Sequence, residues 1–183
     1  MIEESEEPKE PYKQVVNELY KTEISYISTL SDICNLYISE LVPENSKKKK
    51  SGILAKEEVD IIFSNIPQIL ELHISLCKKL QAEVSKSEEE QNVGKVFVEV
   101  IKKMILYADY FENDQKRLNA LKGHMEKHTK FAQMIEANMQ VHKCRLDTLL
   151  NKPLHRQKKP HLSFFFPFFH IIHFPDFASI RSC

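Results

Sequence analysis

Glu18-Leu-Tyr-Lys-Thr-Glu-Ile-Ser-Tyr-Ile-Ser-Thr-Leu30 has the period of an amphipathic helix, with an acid on its apolar side. Helical residues advance by about 100°, so Val16, Leu19, Ile27, Leu30 and Cys34 fall within roughly 40° of Glu23. Burying an unpaired carboxylate is costly. Glu23 therefore either meets a base at the core edge, with Lys152 and Arg156 among the candidates, or lies on a surface that a partner covers.

Outward from this stretch, apolar spacing predicts one helix from Tyr12 to about Leu41, stopped by Pro43. Pro43 to Gly52, with the run Lys47 to Lys50, has the composition of a solvated loop. A second helical pattern runs from Lys56 to Val84 through Val59, Ile62, Phe63, Ile66, Leu70, His73, Leu76 and Leu80, with a kink expected at Pro67. Ser85 to Gln91 is a polar break. The helical period resumes over Val93 to Tyr110, then at Asp114 to His124, Thr129 to Met139 and His142 to Leu150, with Gly123 as an expected stop. Convincing strand alternation is absent before residue 160, which makes the fold class all-α, a helical bundle. The last stretch, PHLSFFFPFFHIIHFPDFASIRSC (160–183), keeps neither period. A membrane span needs about 20 uninterrupted apolar residues, and Pro167, His170, His173, Pro175 and Asp176 interrupt this one. Its Phe, Ser, Pro and Leu are residues of all-pyrimidine codons, as in a translated polypyrimidine tract.

Composition narrows the function. The 183 residues are 42% hydrophobic and 28% charged with a formal net charge of zero, giving no overall pull towards nucleic acid or acidic membrane. Gly52, Gly94 and Gly123 belong to no GxGxxG or GxxxxGK[ST] loop, so no nucleotide cofactor is expected. Cys34, Cys77, Cys144 and Cys183 form no CxxC pair, which argues against zinc and disulfide frameworks and suits a reducing cytoplasm. The N-terminus, MIEESEEPKEP, lacks the apolar core of a secretory signal and is expected to be a disordered acidic tail over residues 1–11. His124 and His128 stand i, i+4 without an evident third ligand, so no metal site is expected. No nucleophile, base and acid can be assembled by spacing, which leaves a hydrolase without support. Lys47 to Lys50 offers at most weak contact with acidic lipid.

Three blocks in series resemble the Dbl-homology domains, guanine-nucleotide exchange factors for Rho-type small GTPases. VVNELYKTEISYISTLSDICNLYISEL (15–41) is similar to their first helix, with its EL..TE..Y...L pattern. VDIIFSNIPQILELHISL (59–76) is similar to the "IF.NI..I...H" helix, and YADYFEN (107–113) to the "Y..Y..N" segment. LDTLLNKPLHRQKK (146–159) is similar to the start of the "L..LI.P.QR..RY.LLL" helix.

The resemblance implies an elongated Dbl-homology-like bundle over residues 12–159, incomplete at its C-terminal end, followed by a divergent tail over 160–183. It implies a regulator without bond-making chemistry, one that stabilises the nucleotide-free state of a Rho-type GTPase. Glu23 would engage switch I, exposed until the partner arrives; Leu154, Arg156 and Lys159 would contribute from the third block. The pattern departs at Lys158, where the family has an apolar residue, and at Pro160, where it has an aromatic one. An inactive helical module that binds a GTPase without exchange is the alternative.

Overall fold

The structure, a computed structural model, describes residues 10–42 and 53–156. Residues 1–9 of the acidic tail, the Lys47 to Lys50 run, Lys158, Lys159 and the Phe-rich segment lie outside the described residues; Glu10 and Pro11, expected in that disordered tail, instead begin the first helix. Among the described residues the regular structure is entirely helical, as the period predicts. The helices are α1 (Glu10–Ile33), α2 (Ser39–Leu41), α3 (Lys56–Phe63), α4 (Ile66–Val84), α5 (Val93–Val100), α6 (Leu106–Glu112), α7 (Asp114–Lys127), α8 (Thr129–His142), α9 (Leu146–Leu150) and α10 (Lys152–Arg156). The chain forms two compact units, the first through Leu150 and the second from Asn151. The second contributes α10 to the described residues.

Within the first unit, α1 buries Val16, Leu19, Glu23, Tyr26, Leu30 and Ile33, an alternation of threes and fours that keeps one stripe facing α4. A π-turn (Cys34–Ile38) then joins α1 to α2, and the buried positions move on by fours to Tyr37 and Leu41. The wider turn keeps the stripe inward by shifting its phase. Asn138 of α8 donates to the Leu36 carbonyl oxygen at 2.9 Å, fastening this turn to the bundle. Ile24, one residue past Glu23 and apolar, lies off this stripe and is exposed.

The second helical pattern is two helices. The break falls at Ser64 (φ 50°, ψ −136°), after which α4 starts afresh with Pro67 in its first turn. Proline there forfeits no intrahelical bond, so it begins a helix instead of kinking one, contrary to the sequence expectation. Ile66, Ile69, Leu72, His73, Leu76 and Leu80 form the buried face of α4. Each fully buried Leu or Ile of this kind contributes about 1.5–3 kcal/mol relative to exposure.

At the far end of α4, Glu83 accepts from the Asn92 amide and the Lys86 ammonium, both at 2.6 Å. Those contacts hold its carboxyl below the ordinary glutamate range. Asn92 in turn caps α5, its side chain accepting from the Lys95 amide at 3.0 Å. A 3₁₀ stretch (Ile101–Ile105) separates α5 from α6, where the sequence suggests one continuous run. Gly123 is the other correction: α7 passes through it and ends at Lys127. A lone glycine costs a helix only about 1 kcal/mol against alanine, which is too little to stop one.

Candidate functional site

Glu23 is fully buried and meets a base, His73 of α4. The expected exposure of Glu23 in the free chain is therefore overturned. His73 Nδ1 is hydrogen-bonded to Glu23 Oε1, while Nε2 lies 2.6 Å from the Tyr107 hydroxyl. The Tyr107 and Tyr26 hydroxyls share a further hydrogen bond of 3.0 Å. With a neutral His73 the donors run one way: Tyr26 to Tyr107, Tyr107 to Nε2, and the Nδ1 N–H to the carboxylate. Tyr26 also meets the His73 ring edge-on, with centroids 4.7 Å apart. Such a chain satisfies buried polar groups that would each be costly alone.

Helical periodicity puts His73 on the inner face of α4, and a polar ring on a buried stripe is itself a request for a partner. His73 reaches Glu23 only once α1 and α4 are set side by side, so the pairing was not readable from either helix. Tyr26 and Tyr107 were missed as polar partners for the same reason.

YADYFEN places two tyrosines on one face of α6. Tyr107 joins the Glu23 network, and Tyr110 donates to the Leu150 carbonyl oxygen at 2.6 Å, closing the C-terminal end of α9. Arg117, also buried, donates to the same carbonyl at 3.0 Å, to the Tyr110 hydroxyl and to Asp114. Its guanidinium lies over the Tyr110 ring, 4.1 Å from the centroid. Burial pushes Arg117 down to about 10 and raises the Asp114 carboxyl above its ordinary value, so desolvation outweighs their attraction, although Arg117 stays charged at neutral pH. Asn65, the Asn of the "IF.NI" block, donates to the Leu106 carbonyl oxygen at 2.7 Å and fixes the start of α6.

The first, second and third sequence blocks thus converge on α6, at Tyr107 for the first two and at Tyr110 for the third. In the second unit, Leu154 of α10 is half-buried and Arg156 is buried. Lys159 lies outside the described residues. No described helix is long and apolar enough to cross a membrane.

Comparison with known proteins follows the same blocks. The RhoGEF domain family matches residues 15–163. Protein ECT2 of Homo sapiens is 26% identical over 148 residues, covering 78% of this chain and 16% of that protein. Rho guanine nucleotide exchange factor 17 of Mus musculus is 29% identical over 150 residues, covering 79% of this chain and 7% of its own length. The chain therefore spans a small part of the curated relatives it matches. A solved structure of the Vav1 exchange factor superposes with a TM-score of 0.73 at 19% identity, covering 85% of this chain and 41% of that one. The apo structure of an activated Vav1 truncation gives 0.72 at 21% identity, covering 84% and 38%. The helical fold is shared with these structures, and with its match over residues 15–163 the chain belongs to the RhoGEF domain family.

Proposed function

We propose that this chain is a guanine-nucleotide exchange domain, which binds a Rho-type small GTPase in the cytoplasm and promotes GDP release. The observation that carries the reading is the convergence of its sequence blocks on α6, where Tyr107 joins the Glu23–His73 pair and Tyr110 holds the end of α9. Family membership supplies the partner class. Exchange requires no bond to be made. The domain binds the GTPase more tightly when nucleotide and Mg²⁺ are gone, and by linkage it weakens GDP by the same factor.

Glu23, Leu154, Arg156 and Lys159 are the proposed contacts. For Glu23 the cost is explicit: its carboxylate must exchange His73 for donors on switch I, and the new bonds must at least match the old. The inward carboxylate also favours a second reading, a module that binds the GTPase without exchange, in which Glu23 serves α1–α4 packing only. Pull-down with GTPases stripped of nucleotide by chelation separates the readings. Exchange predicts clear preference for the stripped over the GDP-loaded form, and loss of that preference in Lys159→Ala. Equal capture of both forms supports the second reading, and capture of neither refutes the partner assignment.

A further inference from the structure

The packed pair α3 and α7 carries a cluster that the exchange reading leaves unused. Glu58, in the first turn of α3, accepts the Ala55 amide with Oε2 at 2.8 Å, which orients its carboxylate. Its other oxygen, Oε1, faces His124 Nδ1 at 3.7 Å, too far for a hydrogen bond. That nitrogen is buried and has no hydrogen-bond partner. Because α7 continues through Gly123, His128 falls one turn beyond His124 on the same side. The two imidazole centroids are 5.3 Å apart, and one ligand atom from each of Glu58, His124 and His128 lies within 4.8 Å of the others.

We propose that Glu58, His124 and His128 form a site for a divalent transition-metal cation of the Zn²⁺ class. Two ligands at about 2.0–2.1 Å from a tetrahedral ion stand about 3.4 Å apart, so the Glu58–His124 gap of 3.7 Å closes with a small side-chain adjustment, and the wider separations, up to 4.8 Å, close by rotation of the imidazole and carboxylate side chains. Two neutral imidazoles and one carboxylate suit Zn²⁺ over Mg²⁺ or Ca²⁺, which favour all-oxygen shells. Water fills the fourth position. The backbone hydrogen bond to Oε2 does what outer partners of metal ligands do, fixing the carboxylate's direction before the ion arrives. Glu58 was not evident beside the histidines in sequence, because the helices that bring them together are some 60 residues apart.

Calorimetric titration of the full chain with Zn²⁺ tests the site. One saturable site is expected, with His128→Ala and Glu58→Gln each weakening it by more than about tenfold, since even outer partners of metal ligands cost that much. The unmodified chain loaded with Co²⁺ gives a check that does not depend on how the variants fold. A visible band of four-coordinate cobalt without a near-ultraviolet thiolate band supports the site, and a thiolate band assigns the metal to cysteine and overturns it. Absence of saturable binding, or folded variants that bind as the parent does, also overturns it.

Discussion

Glu23 is hydrogen-bonded to His73 within a buried network, and its substitution separates charge from hydrogen bonding. Glu23→Ala leaves His73 and Tyr107 buried around a missing acceptor, so a loss of about 3 kcal/mol is expected. Glu23→Gln keeps an acceptor for the Nδ1 N–H and is expected to lose about 1 kcal/mol. Urea unfolding of both checks the order, and equal midpoints for Glu23→Ala and the parent contradict the buried pair. Glu83 makes a separate claim on pH. Its folded value is lowered, so the stability it contributes is complete above the ordinary glutamate value of 4.5 and is lost as pH falls through the lower folded value. Thermal unfolding of Glu83→Gln is expected to show a smaller fall in stability across that acid range than the parent does. An unchanged fall places the acid sensitivity elsewhere.

At the level of elements, the sequence carried the helices well and their interruptions poorly. Apolar spacing along α1 and α4 is a strong signal because one face of each is buried over several turns. Breaks are local and cheap. Ser64 adopts a positive φ that no sequence pattern announces, Pro67 is compatible with both a kink and a start, and Gly123 tolerates continuation. The Ser64 backbone makes its own prediction. Its φ of 50° suits glycine, and relief of strain outweighs the entropy that glycine adds to the unfolded chain. Ser64→Gly is expected to stabilise the protein by about 1 kcal/mol, seen as a higher melting temperature. A lower one means the Ser64 side chain contributes more than its backbone costs.

For the whole molecule, the all-α bundle was legible from period alone, and the family from motif blocks whose order and spacing agree. The candidate site was legible only in part. Glu23 stood out because it violates its own stripe, yet His73 lies 50 residues away on another helix, and the bases that the sequence named were Lys152 and Arg156. Glu58 was invisible as a metal ligand for the same reason. These pairings follow from helix packing, which joins residues without regard to their distance along the chain. Exchange is the property that the assembled bundle would have and no single helix would. The most direct measurement is release of a fluorescent GDP analogue from a panel of Rho-type GTPases, with and without the full chain under excess unlabelled nucleotide. Faster release from at least one member, rising with chain concentration, is the expected result. Release that stays at the intrinsic rate across the panel, with a chain shown to be folded and helical, contradicts the exchange function.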